Sequence, residues 1–247
     1  MSKMFIKVVF FFLVFQSAVF SQSIETDRPD QTETPAIVPK NKFQFENGFV
    51  FEQNKSGSKS FLLPTVLSKY GVSENLELRL ITEFIYDKTD DIRLSGISPV
   101  KIGFKVKLSD EKGIIPKTSF IGHLSIPRIA SKELKSIYYA PTFRFTMQHT
   151  LTDKITLAYN LGSEWDGETP EPTFIYTLTT GFSLSEKMGS YIELYGFAPQ
   201  NQHADHRFDG GFTYLLSNNA MIDMSAGFGI TENAPDYFLG LGFSFRI

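Results

Sequence analysis

The sequence predicts an all-β fold: an antiparallel transmembrane β-barrel of about 12 strands, with short periplasmic turns and longer extracellular loops. Three observations predict it. Apolar and polar residues alternate with period two through most of the chain after residue 42. The alternating segments run about ten residues each, enough for a tilted strand to cross a bilayer. The connections between them are by turns short and long. Composition agrees. The 247 residues include 25 Phe and one Trp, an aromatic share of 15% that a soluble core rarely needs, so a second apolar surface must use it. No apolar run of 18 residues exists beyond the N-terminus, which excludes a bundle of membrane helices, and a net charge of −3 argues against a nucleic-acid partner.

Residues 1–21 read as a secretory signal peptide. Lys3 and Lys7 precede an unbroken apolar stretch from Val8 to Phe15, and Val19-Phe20-Ser21 supplies the cleavage end. An exported chain without cysteine has no disulfides, so stability comes from backbone pairing and packing. Residues 22–42 are polar, carry Pro29, Pro35 and Pro39, and read as an extended periplasmic tail.

The barrel is predicted over 43–247. It opens with Phe43, Phe45, Phe49 and Phe51 on one face and Gln44, Glu46, Gly48 and Glu52 on the other. The pattern returns in Leu76, Leu78, Leu80 and Phe84 against Glu77, Arg79 and Glu83, and in Ile102, Phe104 and Val106 against Lys101, Lys105 and Lys107. It returns again in Phe143 and Phe145 against Arg144, in Leu157 and Leu161 against Asn160, in Ile222 and Met224 against Asp223, and in Leu239, Leu241 and Phe243 against Gly240, Gly242 and Ser244. The strands are predicted at 43–52, 61–70, 76–86, 97–108, 115–126, 138–150, 154–164, 173–183, 189–197, 207–216, 220–230 and 237–247. Pro64 and Pro116 fall in the two least regular strands and require a bulge or a strand end. Connections at 71–75, 109–113, 151–153, 185–188 and 217–219 are tight. Those at 53–60, 87–96, 127–137, 165–172, 198–206 and 231–236 are mostly longer and more polar. A soluble sandwich or lipocalin-like barrel would also alternate, with its apolar face inward. A Gly- and Thr-rich polar face and aromatics near strand ends (Tyr70, Tyr86, Tyr139, Phe182, Phe197, Phe208, Tyr214, Tyr237) favour the membrane arrangement, polar side inward.

Alternation then assigns the lumen lining: Glu46, Glu77, Arg79, Glu83, Lys101, Lys105, Lys107, His123, Ser125, Arg144, Glu164, Asp209, Asp223 and Arg246. Its acids and bases balance, so weak ion selectivity is expected, with Lys101, Lys105 and Lys107 giving a local preference for an anionic group such as an aromatic carboxylate. No catalytic, metal or cofactor site is expected. His123 and Ser125 have the residue types of an activated nucleophile, but no orienting acid is identifiable and alternation turns both away from lipid. His203, Asp205 and His206 could ligate a metal, yet they read as a solvated loop. The acidic stretch of Glu25, Thr26, Asp27, Arg28, Pro29, Asp30 and Glu33 could bind calcium, dock a partner or fold back as a plug. A specific structural contact is the expected role.

The sequence also resembles the outer-membrane transporter family grouped under the "putative meta-pathway of phenol degradation". The resemblance lies in Glu25-Thr26-Asp27-Arg28-Pro29-Asp30-Gln31-Thr32-Glu33, Val38-Pro39-Lys40, Gln44-Phe45-Glu46 and Tyr70-Gly71-Val72-Ser73-Glu74-Asn75-Leu76-Glu77-Leu78-Arg79. It continues in Gly122-His123-Leu124-Ser125-Ile126-Pro127, Asp209-Gly210-Gly211-Phe212-Thr213-Tyr214-Leu215-Leu216 and Ala234-Pro235-Asp236-Tyr237-Phe238-Leu239-Gly240. One departure is the last residue, Ile247, where barrel-assembly signals usually have an aromatic. The resemblance implies an outer-membrane barrel of a Gram-negative cell that moves small, aromatic or hydrophobic, molecules and brings no catalytic residues. The expected partners are outer-membrane lipid, the barrel-assembly machinery and a small-molecule solute. The alternative is a structural or adhesive barrel that binds partners through its loops.

Overall fold

The computed structural model describes residues 23–247; the expected signal peptide, 1–21, lies outside them. The chain forms β1 (Phe43–Gln53), β2 (Lys59–Ser73), β3 (Leu76–Thr89), β4 (Ile92–Ile97), β5 (Val100–Ser109), β6 (Lys117–Ile126) and β7 (Ala140–Thr152). It continues as β8 (Ile155–Glu164), β9 (Thr173–Ser183), β10 (Met188–Pro199), β11 (Asp205–Ser217), β12 (Ala220–Gly229) and β13 (Tyr237–Arg246), with one 3-10 turn at Lys132–Leu134. Neighbours in sequence pair antiparallel around the sheet. β13 returns to β1 from Gln44↔Arg246 to Gln53↔Tyr237, closing the barrel. In lipid every backbone N–H and C=O must be paired, and closure leaves no open edge around the wall.

The wall has 12 strand positions because β4 and β5 together make one interrupted strand, both pairing with β3. This corrects one expectation. Residues 87–96, read as a long loop, instead extend the wall as a hairpin with Thr89 paired to Ile92. Ile92 and Leu94 alternate with Arg93 and Ser95, and Asp90, at φ 51°, turns the chain in the left-handed conformation that Asp tolerates. Pro64 sits where the β2–β3 register shifts between Leu62 and Thr65, and Pro116 lies just before β6. On the 165–172 loop, Asp166 accepts N–H bonds from Glu168 (2.7 Å) and Thr169 (2.9 Å). Slight burial acts against ionisation there, but these donors hold the carboxyl below its usual range.

The faces are inverted relative to a soluble barrel. Leu78, Ile102, Phe145, Leu161, Met224 and Leu241 are exposed on the outside, whereas Gln44, Glu46, Lys69, Glu77, Lys105 and Asn160 are buried within. Two aromatic belts mark the ends of the apolar band on β13, β1, β2 and β3. One runs Tyr237–Phe51–Phe61–Tyr86, with centroids 5.9, 4.9 and 5.9 Å apart; the other runs Phe243–Phe245–Phe45–Phe43–Tyr70. Phe197, expected on the outer belt, instead faces the lumen with Tyr195, because β10 turns Tyr191, Glu193, Tyr195 and Phe197 inward. Its ring lies 5.8 Å from the Arg207 guanidinium carbon.

The outward band sets a test. Leu241, 59% exposed at the middle of β13, should face the bilayer midplane. Leu241→Arg should cost about 2–4 kcal/mol in denaturant unfolding from lipid vesicles, whereas Ser56→Arg in the exposed 54–58 loop should stay within about 0.5 kcal/mol.

Candidate functional site

The segment from Ser23 to Lys42, expected as a periplasmic tail, lies inside the barrel. It enters at the short-turn end, where Ile24 N donates to Asn218 O (2.8 Å), and returns to that end, where Lys40 bridges Gly71. Between those points it rises into the lumen and comes back. Proline at 29, 35 and 39 and a run of polar residues deny it a strand of its own, so its backbone groups take partners from the wall.

Asp27 is the centre of the contact. It is 6% exposed, and its two carboxylate oxygens accept from Lys105 Nζ (2.8 Å), Lys69 Nζ (2.9 Å) and Arg79 Nη1 (3.1 Å). Thr34 N adds a fourth bond to Oδ1 (3.0 Å), and Asp27 N donates to Glu46 Oε2 (2.9 Å). Lys69 also pairs with Glu46, and Arg79 with Glu33 (2.6 Å) and Glu77 (3.3 Å). An isolated charge at such depth would be very costly, and only a closed set of this kind makes the burial affordable.

The return limb is seated as firmly. Glu193 accepts from Gln31 N and Thr32 N (2.8 Å each), Thr32 Oγ1 (2.5 Å) and Thr179 Oγ1 (2.9 Å). Asn160 exchanges two bonds with the Glu33 backbone, Val38 N donates to Glu77, and Ser119 Oγ donates to Pro35 O. Arg28 crosses to Asp223 (3.0 Å) and Leu241 O (3.1 Å). Room for it comes from the paired glycines Gly48 and Gly242: a Cβ would lie 2.1 Å from Arg28 Nη1 at the first and 2.6 Å from Arg28 Nε at the second.

The Arg28-Pro29-Asp30 turn divides the lumen. Toward the long loops lies a cavity of about 440 Å³ bordered by Glu52, Glu83, Lys101, Arg144, Glu164 and Phe197. Toward the short turns lies one of about 270 Å³ bordered by Gln148, Thr156, Ala158, Thr179, Ser190 and Thr213. Arg28, Pro29 and Asp30 line both.

The residues assigned to the lumen by alternation therefore divide into groups. Glu46, Glu77, Arg79, Lys105 and Asp223 hold the tail. Glu83, Lys101, Arg144, Glu164 and Asp209 border the upper cavity, with Arg144 also bonding Gln31 O (3.1 Å). Arg246 sits at the short-turn mouth on Asn219. The three lysines of β5 do not share a path: Lys105 is fully buried on Asp27, Lys107 pairs with Asp110 of the following turn, and only Lys101 borders the upper cavity. Of the acidic stretch, Glu25 O accepts from Gln44, Thr26 Oγ1 donates to Arg28 O, and Asp27 and Arg28 carry the ion pairs.

His123 and Ser125 are buried on the inner face. Among the described residues no carboxylate pairs with His123, and its Nε2 makes no hydrogen bond. His206 instead meets Tyr176 (2.6 Å), and Asp205 meets Arg207, so the suggested metal triad does not converge. Sequence reading missed Lys69, Thr179 and Glu193, and it put Asn160 on the polar face without giving it a role. The signal was present in Tyr191-Ile192-Glu193-Leu194-Tyr195, whose alternation puts Glu193 on the inner face.

Residues 26–247 match the family described as "Putative MetA-pathway of phenol degradation". No curated protein matches the sequence. Among solved structures, an outer membrane channel from Pseudomonas putida F1 superposes with a TM-score of 0.68 at 11% identity, covering 89% of this chain and 99% of that one. The NanC porin (TM-score 0.55, 10% identity, 83% and 100% covered) and the KdgM porin (0.52, 10%, 81% and 98%) share the same fold.

Asp27 and Gly48 give the test of the docked tail. Asp27→Asn leaves Lys69, Lys105 and Arg79 without their shared anion, a loss of about 3–5 kcal/mol for a broken buried pair. Gly48→Val displaces Arg28. Both variants should expose the tail to added protease in detergent, with Asp27→Asn the more sensitive, while the wild type resists.

Proposed function

The chain belongs to the "Putative MetA-pathway of phenol degradation" family, and from that membership and the shape of its lumen we propose that it is an outer-membrane channel for small molecules, aromatic and hydrophobic ones included. The observation that carries the reading is the pair of cavities inside the barrel, parted by a single turn of the tail. A barrel kept only as a structural element would need no water-accessible chamber on each side of its plug. With the short turns periplasmic, as in other bacterial barrels, the larger chamber opens outward and the tail rises from the periplasmic side.

The charges that border the upper cavity set its preference. Arg207 is taken by Glu52 and Asp205, and Arg79 by the tail. Lys101 then shares the chamber with Glu83 of the neighbouring strand, and Arg144, 3.9 Å from Glu33 of the tail, shares it with Glu164 of its own neighbour; Asp209 borders it as well. Charges of both signs leave a weak net field, so neutral solutes should pass as readily as ions. Lys101 and Arg144 together offer the better seat for an anionic group, in place of the three-lysine row expected from sequence.

Purified protein in planar bilayers should show small conductance with little cation–anion discrimination. Lys101→Glu should shift the reversal potential toward cations, and Lys107→Glu, paired outside the chamber with Asp110, should not. Absence of both conductance and solute uptake would support the structural or adhesive barrel instead. A shift produced by Lys107 and not by Lys101 would mean that the path runs elsewhere.

A further inference from the structure

Three cations stand in one row on the outer face of the barrel, just beyond the aromatic belt of the long-loop end. In that belt Phe61 of β2 faces Tyr86 of β3, with ring centroids 5.9 Å apart. Residues two apart on a strand share a face, so the next outward positions are Lys59 and Lys88, which pair directly. On its other side Lys88 pairs with Arg93 of β4. The row therefore runs Lys59–Lys88–Arg93 across three adjacent strands, about 7 Å beyond the belt. All three side chains are exposed.

Like charges directly opposite one another on neighbouring strands destabilise a sheet, and here two such pairs adjoin. The chain does not relieve them. Among the described residues no carboxylate makes an ion pair with any of the three. Asp87, next to Lys88, takes the opposite face and accepts from Ser60 Oγ. Asp90 and Asp91 turn the hairpin tip beyond the row. An anion from outside the chain is needed to complete this surface, and the height of the row selects it. Phe61, Phe84 and Ile97 belong to the apolar wall below, and aromatic belts mark the edge of the hydrocarbon, so the row stands at the depth of lipid headgroups. With the short turns periplasmic, those headgroups belong to the outer leaflet, which in a Gram-negative cell is built of phosphorylated glycolipid.

We propose that Lys59, Lys88 and Arg93 form a binding site for a phosphate of the outer-leaflet glycolipid, lipopolysaccharide, whose acyl chains lie down the apolar wall below the belt. The proposal stands on the position of the row and is independent of the channel reading. Arg93 presents a planar fork of N–H donors that matches phosphate geometry, and the two lysines add point charges on flexible stems. A phosphate lying over Lys88 turns two repulsive pairs into one shared attraction. It also ties β2, β3 and β4 together at the rim, where β4 ends the strand order with β3 as its ladder partner. The glycolipid thus steadies the hairpin that carries the wall above the belt.

The test uses protein made from the full-length chain and extracted in detergent from Gram-negative outer membranes. It is titrated with bisphosphorylated lipid A, and bound lipid is read by native mass spectrometry. The wild type should hold lipid A, and dephosphorylated lipid A with the same acyl chains should bind far more weakly. Lys59→Gln, Lys88→Gln and Arg93→Gln together should weaken lipid A binding roughly 100-fold, as three charges at an anionic surface do. Lys88→Gln alone, at the centre of the row, should weaken it roughly fivefold. Lys112→Gln with Lys154→Gln, exposed on the short-turn side, should leave it unchanged. Protease resistance of the docked tail verifies that each variant is folded. Wild-type affinity in the triple variant overturns the site, and so does equal binding of dephosphorylated lipid A, which would rest on the chains alone. Phosphatidylglycerol held as tightly as lipid A, or inorganic phosphate that displaces lipid A, overturns the assignment to the glycolipid.

Discussion

The carboxylate of Asp27 organises the inside of this barrel. Three cations from three strands, Lys69 of β2, Arg79 of β3 and Lys105 of β5, converge on it, and each would be untenable at that depth without an anion. Their positions follow from alternation: a strand that turns apolar side chains to lipid must turn its charges inward. Nothing on the wall alone neutralises them, since Glu46 and Glu77 are shared among the same cations. The tail supplies the missing charge through Asp27 and Glu33, and the wall in turn supplies acceptors for the tail's backbone through Glu46, Glu77 and Glu193. Tail and wall are therefore one electrostatic unit, each incomplete without the other.

That unit explains why the lumen is neither filled nor open. A barrel of this size is wider than side chains alone can fill, as they do in eight-stranded barrels, and narrower than the water-filled bores of the large porins. The tail closes part of the difference. It threads the short-turn half, where a smaller cavity remains, and leaves an upper chamber bordered by Lys101 and Arg144 on one sign and Glu83, Glu164 and Asp209 on the other. Stability and permeability are thus set by the same segment. The substitutions that loosen the tail are those expected to widen the path.

The wall is uneven around its circumference. From β6 to β13 the ladders run with at most a shift near the short turns, whereas β2 to β5 carry a bulge at Pro64 and an interruption at Ser98-Pro99 at the same height. Proline in a strand forfeits a ladder bond, and Thr82 and Glu83 keep their β2 partners Val66 and Thr65 while the regular ladder to β5 stops at Ile81. The segment following β6 compensates by pairing with Ile97 and Val100.

Alternation, segment length and turn chemistry determined from sequence alone that the chain is an antiparallel barrel, and the Gly- and Thr-rich polar face with aromatics near strand ends turned its apolar face outward. The period-two pattern survives because lipid and lumen impose opposite polarity on successive residues of every strand, so Phe43, Gln44, Phe45 and Glu46 already state their sides. Strand ends were legible to within a few residues for the same reason. The 87–96 hairpin was not, since above the membrane neither face is constrained and a polar strand reads as a loop. Alternation also placed Glu46, Glu77, Arg79, Lys105 and Asp223 on the inner face, but it could not say what each one meets. Whether Lys101, Lys105 and Lys107 act together, and whether Asp27 faces solvent or three cations, depends on the shear of the barrel and on the path of a proline-rich segment with no period of its own. Those contacts join residues tens to nearly two hundred positions apart, as in Arg28 with Asp223, and only closure of the barrel brings them within bonding distance.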